Sequence, residues 1–263
     1  MVYSRMSTST HATKLSKKSV LLFRAPKEGT TDLFEKELRE HKYEPVSIPV
    51  LDFNYINIDK LSQCLIQYRD YSAIVFTSQR AVEATQLSIS DSSKEVNYSD
   101  LTCYVVGGST CKAAKDAGFN AVYGDAGNAE KLAEYITTEE KCRDKPILYP
   151  CGNLRRDTLS KKLKEAGFCL NEIEVYETVR NKSIKLKVEE LIQHQGLPEY
   201  VVYFSPSGVQ YTEDIVSSGI LPLDQLKVIA IGPTTEKELR EKDIPVYSVA
   251  SIPDPEGLIQ AFS

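Results

Sequence analysis

The stretch from Tyr104 to Phe119, YVVGGSTCKAAKDAGF, contains one complete unit of the fold. It begins with a short apolar run typical of a buried strand and passes through the turn GGST into a helical pattern that ends at Gly118. Small residues between a strand and a helix are typical of an anion-binding loop, because the helix N-terminus carries partial positive charge. The stretch therefore predicts an α/β fold with an anion site.

The same unit occurs a second time in the chain. The later copy is AIGPTTEKELREKDI, in which Gly232 and Thr235 align with Gly107 and Thr110. Three further pairs of segments recur in the same order, about 126 residues apart. They are VLLFRAP with ILYPCGN, AIVFTSQRAV with YVVYFSPSGV, and GNAEKLAEYI with PDPEGLIQAF. Because a solenoid repeat spans only about 20–50 residues, this period predicts two similar α/β domains instead.

The predicted strand-to-helix turns supply the candidate binding residues. Segments such as SAIVFT, PILYP and YVVYFS are continuous apolar runs, typical of strands covered on both faces of a parallel sheet. Right-handed connections place every such turn at the carboxyl edge of the sheet, where open α/β folds bind ligands. The candidates are Ser78, Arg80, Gly108, Ser109, Thr110, Gly127, Asn128, Lys131, Gly152, Asn153, Arg155, Ser205, Ser207, Gly208, Thr234 and Thr235.

Two interpretations of these turns remain open. Ser, Thr and Asn at a helix start commonly do no more than cap the helix, whereas a set of such turns along the sheet edges favours a ligand with several acidic groups. Carboxylates are favoured over phosphates, because neither a Walker A motif nor GxGxxG is present. Arg80, Lys131, Arg155 and Arg156 are candidate charge partners, and they fit a solvated helix surface equally well.

Tyr176 is the candidate catalytic residue. It lies in EVYET and aligns with Pro49 in SIPVL, so its phenol has no counterpart in the other half of the chain. An aromatic residue in a strand commonly serves packing. Because the two copies differ at this duplicated position, a catalytic role for Tyr176 is favoured.

Composition limits the class of protein. The net charge of −5 argues against a nucleic-acid partner. The sequence lacks a run of about 18 apolar residues, so we expect no membrane span. Three scattered histidines predict no metal site, and six cysteines without CxxC spacing predict reduced thiols in a cytosolic protein. Residues 1–18 are predicted to be a disordered tail, with a transit peptide as the alternative.

The combination of motifs resembles the uroporphyrinogen-III synthase family, in the form found in animals. IVFTSQRAVEA, YVVGGST, GNAEKLAEYI, YPCGN, VYET, FSPSG and AIGPTT occur in family order from Ser19 onwards. The resemblance implies two similar α/β domains with parallel sheets flanked by helices, joined by a two-stranded β-ladder, with the active-site cleft between them. The implied domains are 19–50 with 180–263, and 54–172. The ladder is implied at 46–54 and 172–180, pairing SIPVL with EVYET.

The resemblance also implies a reaction. Hydroxymethylbilane is cyclised to uroporphyrinogen III with loss of water and inversion of ring D through a spiro intermediate, without metal or organic cofactor. Tyr176 is expected to help the hydroxyl group leave. Matching family motifs imply that Thr110, Ser205, Ser207, Thr234 and Thr235 line the cleft. A monomer that receives its substrate from the preceding deaminase of the pathway is expected.

A different class of protein remains as the alternative. Two α/β domains around a cleft also describe a non-catalytic sensor that closes on an acidic small molecule. Turnover of hydroxymethylbilane distinguishes the two classes.

Overall fold

The computed structural model describes residues 18–26, 31–90, 98–122 and 127–263. The predicted disordered tail lies outside these ranges except for Lys18, which begins the first strand. Within the described ranges, no helix is long and apolar enough to cross a membrane.

The described residues alternate between strands and helices, as the apolar patterns predict. In chain order the elements are β1 (Lys18–Phe23), α1 (Leu33–Glu40), β2 (Tyr43–Ser47), β3 (Leu51–Tyr55), α2 (Ile58–Ile66), β4 (Ala73–Phe76), α3 (Gln79–Ser90), β5 (Thr102–Val105), α4 (Gly108–Asp116), β6 (Asn120–Val122), α5 (Ala129–Glu139), β7 (Ile147–Gly152), α6 (Thr158–Glu165), β8 (Leu170–Arg180), α7 (Ile184–Gln195), β9 (Tyr200–Tyr203), α8 (Pro206–Tyr211), α9 (Glu213–Ser217), β10 (Lys227–Ala230), α10 (Pro233–Glu241), β11 (Ser248–Val249) and α11 (Pro255–Gln260).

The elements form two compact units. One contains the described residues up to Leu51 together with Arg180–Ser263, and the other contains Asp52–Val179. Each unit has its own sheet. We call them sheet A, in the order β11-β10-β9-β1-β2, and sheet B, in the order β3-β8-β7-β4-β5-β6.

Sheet A is parallel and covered on both faces. Successive side chains of a strand point to opposite faces. Leu21 and Phe23 accordingly pack in the cluster that contains the buried residues of α7, while Val20 and Leu22 pack in the cluster that contains Leu38 of α1. This double burial explains why β1 is a continuous apolar run rather than an alternating one.

Sheet B follows the same rule. Ile74 and Phe76 of β4 pack with α2, α3 and α4, whereas Ala73 and Val75 pack with α5 and α6. The β8-β7-β4-β5-β6 pairs are parallel, and the sheet as a whole is mixed. The predicted α/β class with two helix-flanked sheets is confirmed. The parallel order holds throughout sheet A only.

The edge strand β3 pairs with β8 in sheet B. The segment EVYET lies within β8, but the strand that pairs with β8 starts at Leu51, the last residue of SIPVL, and continues to Tyr55. Residues 51–54 of β3 lie within the range 46–54 in which the resemblance implied the ladder.

We expect Gly257→Ala to destabilise the unit that contains sheet A. Gly257 is buried in the first turn of α11, and a Cβ atom there would lie 2.2 Å from the backbone oxygen of Ile252. Overpacking against backbone costs about 1–3 kcal/mol, and urea unfolding measures the loss. The neighbouring exposed variant Glu256→Ala should stay within about 0.5 kcal/mol of the parent. Equal stability of the two variants would contradict the packing.

Candidate active site

The turns predicted to bind a ligand lie at the carboxyl ends of the parallel strands. In sheet B, Ser78 follows β4, and the turn that begins at Gly107 follows β5. The Gln79 side chain donates to the Ser109 carbonyl at 3.4 Å, so these two turns are neighbours. The Gly127 amide donates to the Val106 carbonyl at 3.2 Å, which adds the turn before α5 to the same edge.

Tyr176 of β8 contacts Ser78 at this edge. The phenol donates a hydrogen bond to Ser78 Oγ at 3.0 Å. Ser78 Oγ also accepts the amide hydrogen of Ala81 at 3.2 Å, so the serine caps α3 as well. The structure thus brings together the candidate catalytic residue and one candidate binding residue, which lie 98 positions apart in sequence.

Gly152 lies directly beside the Tyr176 ring. The two residues are register partners between β7 and β8, at a point where the register shifts. A Cβ atom on Gly152 would lie 2.4 Å from Tyr176 Cζ, which is far inside contact distance. A residue without a side chain is therefore required for the phenol to occupy this position.

Arg80 is held by neighbours that the sequence did not single out. Its Nη1 donates to Glu83 Oε2 at 2.6 Å, and the Tyr55 phenol donates to the same oxygen. The guanidinium lies 4.5 Å from the ring centroid of Phe53, and Phe53 meets Tyr176 edge-on with centroids 6.0 Å apart. The spacing of Arg80 and Glu83 on one helix was a usable signal for this pair, whereas Phe53 and Tyr55 carried none.

Arg155 is also engaged by carboxylates. It donates to Glu174 Oε1 at 2.8 Å and to Glu172 Oε2 at 3.1 Å. Burial acts to raise the pKa of Glu172, but hydrogen bonds from Lys164, Ser160 and Arg155 outweigh it and lower that pKa. Arg155 is therefore part of an internal ion-pair network.

Asn153 and Cys151 flank Gly152 and have structural contacts. Asn153 Oδ1 accepts the amide hydrogen of Thr178 at 3.0 Å. Cys151 is buried, and its Sγ lies 3.4 Å from the Ile173 carbonyl. Burial raises the pKa of this thiol to about 11, against an opposing effect of Arg155. Cys151 is therefore a protonated packing residue near neutral pH.

The helix starts divide into capped and uncapped ones. Asn128 caps α5 through the Lys131 amide at 2.9 Å, and Ser205 caps α8 through the Gly208 amide at 3.1 Å. Gly107 and Gly232, which begin α4 and α10, provide no side-chain cap. Helix capping therefore explains Asn128 and Ser205 without a ligand. It does not explain the turns at Gly107 and Gly232, which remain candidates for ligand binding.

The remaining candidates differ in exposure. Thr110 and Thr235 are buried, at 5% and 1% relative exposure, and Gly208 is buried as well. Ser207 lies 2.9 Å from Ser205 through their hydroxyl oxygens. The candidates on the surface are Gly108, Ser109, Gly127, Lys131 and Thr234. The assignment of these residues to substrate binding stays a prediction.

Metal-ligand clusters are not found among the described residues: no group of three or more His, Cys, Asp or Glu side chains there is placed to hold an ion.

The fold and the site define a class of protein. Proteins of this class have two helix-flanked sheets, with hydroxyl groups and uncapped helix starts in the strand-to-helix turns at the sheet edges. Comparison with known proteins identifies the family within this class. Residues 32–260 match the model of the uroporphyrinogen-III synthase HemD family, and the chain belongs to that family.

Named relatives support this assignment. The chain is 31% identical over 249 residues to the uroporphyrinogen-III synthase of Saccharomyces cerevisiae, covering 88% of this chain and 90% of the relative. It is 26% identical over 243 residues to that of Schizosaccharomyces pombe, covering 89% and 90%. The resemblance predicted from the motifs is confirmed for the family, and its animal-type form stays a prediction.

A solved structure supports the fold. Uroporphyrinogen-III synthetase from Helicobacter pylori 26695 superimposes with a TM-score of 0.58 at 18% identity, covering 92% of this chain and 97% of that one.

We expect Gly152→Ala to lower uroporphyrinogen-III synthase activity by about tenfold to a hundredfold, because the Tyr176 ring must move to admit the new methyl group and a misplacement of about 1 Å can cost that much. The assay is run where a urea unfolding curve shows the variant to be folded. Full activity, with the ring unmoved in a crystal structure of the variant, would contradict the packing argument.

Proposed function

We propose that the protein converts hydroxymethylbilane to uroporphyrinogen III. The observation that carries the proposal is the match to the family over residues 32–260. The pairing of Tyr176 with Ser78 at the carboxyl edge of sheet B supports it, because this edge is where open α/β folds bind ligands.

The chemistry requires a leaving group and a positioned ring. The substrate hydroxyl accepts a proton and leaves as water, which gives an azafulvene-type cation. The substituted carbon of ring D attacks this cation to form a spiro intermediate, and rearrangement inverts ring D before closure with loss of a proton. Unassisted closure gives isomer I, so the main task of the enzyme is to hold the reacting atoms in one geometry.

Tyr176 is our candidate for the proton donor. Its hydrogen points to Ser78 Oγ in the structure and can be redirected to the departing hydroxyl group. The Ser78 hydroxyl can then turn and donate to the phenolate oxygen, since a hydroxyl both donates and accepts. General acid catalysis of this kind contributes about a hundredfold or more.

Neutral donors are our candidates for binding the substrate carboxylates. The helix starts at Gly107 and Gly232 have no side-chain caps, and free backbone N–H groups at such starts favour anions. The start at Gly232 offers fewer of them, because Pro233 has no N–H. Arg80 and Arg155 already have carboxylate partners, so they add little free positive charge. Lys131 and Arg156 are exposed, and they are the candidate cations of this set.

We also propose that the enzyme works as a monomer in the cytosol and takes its substrate from the preceding deaminase. All six cysteines are free thiols, which supports a reducing compartment.

Replacement of Tyr176 by Phe tests the catalytic role. We expect kcat for isomer III to fall about a hundredfold, since the donor is lost and the ring is kept. Freshly prepared hydroxymethylbilane is supplied, and the oxidised porphyrin isomers are separated by chromatography. Tyr247→Phe is the matched control, because Tyr247 is half-exposed and lies in the other unit.

Undiminished formation of isomer III by Tyr176→Phe would rule out its role as proton donor. A parent protein that leaves only isomer I would instead identify a non-catalytic binding protein.

A further inference from the structure

Four side chains near Tyr176 form a connected group that we call the Glu83 clamp: Phe53, Tyr55, Arg80 and Glu83. We propose that the Glu83 clamp positions Tyr176, and that Arg80 acts as part of the clamp rather than as a ligand for a substrate carboxylate. The inference rests on the catalytic role proposed for Tyr176.

Glu83 is the centre of the clamp. Its Oε2 accepts hydrogen bonds from the Tyr55 phenol on β3 and from Arg80 Nη1 on α3, the latter at 2.6 Å. Burial, followed by the hydrogen bond to Glu83, raises the pKa of Tyr55 to about 12, so this phenol remains a donor near neutral pH. Glu83 therefore ties a helix to the edge strand of sheet B.

The clamp reaches Tyr176 through Phe53. The Arg80 guanidinium lies 4.5 Å from the Phe53 centroid, a distance at which a cation is attracted to the ring face. Phe53 in turn meets Tyr176 edge-on, with an interplanar angle of 71°. An edge-on aromatic pair has a preferred geometry, so an ordered Phe53 restricts the Tyr176 ring.

The clamp completes the surroundings of Tyr176. Ser78 holds the hydroxyl end of the ring at 3.0 Å, and Gly152 lies so close that a Cβ atom does not fit. Phe53 supplies a third contact on the same ring. Loss of the clamp leaves Tyr176 with its hydrogen bond but with a freer ring.

The ion pair of Arg80 with Glu83 favours a positioning role for Arg80 over binding of a substrate carboxylate. Its strongest polar contact is with Glu83, and the two side chains are 41% and 37% exposed. An ion pair this exposed contributes little to stability. Removal of Glu83 should therefore alter the geometry of the site more than the stability of the fold.

A double-mutant cycle between Glu83 and Tyr176 tests the proposal. We expect Glu83→Ala to lower kcat for isomer III by about tenfold, because a loosely held catalytic group loses its orientation, with KM within about twofold. Glu83→Gln keeps an acceptor oxygen and should recover part of kcat. In the Tyr176→Phe background Glu83→Ala should have no further effect, since residues that act as a unit are not additive.

Asp116→Ala is the matched control. Asp116 accepts a hydrogen bond from Lys112 at 2.8 Å at the end of α4 in the same unit, so the variant also removes a helical ion pair. Its kcat and KM should equal those of the parent. Urea unfolding of every variant separates lost activity from lost fold.

Three results would overturn the inference. A lower KM for Glu83→Ala with unchanged kcat would mean that Glu83 restrains an Arg80 that binds substrate. An additive loss in the Tyr176→Phe background would mean that the clamp does not act through the phenol. Full activity of Tyr176→Phe alone would refute both the catalytic role of Tyr176 and the positioning role of the clamp. If Tyr176→Phe lowers kcat but Glu83→Ala lowers it further in that background, only the positioning role is refuted.

Discussion

Burial of both faces of each sheet is the constraint from which the other features follow. From Val20 to Phe23 of β1 and from Ala73 to Phe76 of β4, alternate side chains enter different apolar clusters, so each of these positions is apolar. Helices must then lie on both faces, and parallel strands joined by such helices have all their turns at one edge. The candidate site lies at that edge because the strand-to-helix turns and the helix N-termini meet there.

At the edge of sheet B the placement of Tyr176 depends on close packing. The phenol occupies space that any side chain at position 152 would fill, and its hydroxyl bonds to a serine that also caps α3. Phe53 adds an aromatic contact that is itself held by Arg80. A phenol fixed in this way is oriented before the substrate binds. Such orientation would favour the proton donation that we propose for Tyr176.

The protein is net acidic, and Arg80 and Arg155 near the edge have carboxylate partners. We propose that recognition of the acidic substrate depends on neutral donors, which add no charge repulsion within the fold. The uncapped helix starts at Gly107 and Gly232 are our candidates for such donors. They occupy equivalent positions in the two units, as expected of a duplicated chain.

The sequence by itself determined the alternation of strands and helices, the duplication, the edge to which the turns belong, and the asymmetry between Tyr176 and Pro49. These features are local patterns, or a comparison of two local patterns. Tertiary structure decided that Gly152 admits the phenol, that Arg80 and Arg155 are paired, that Thr110 and Thr235 are buried, and that β3 begins at Leu51. Those outcomes depend on strand register and on contacts between segments as distant as Ser78 and Tyr176, which local periodicity does not encode.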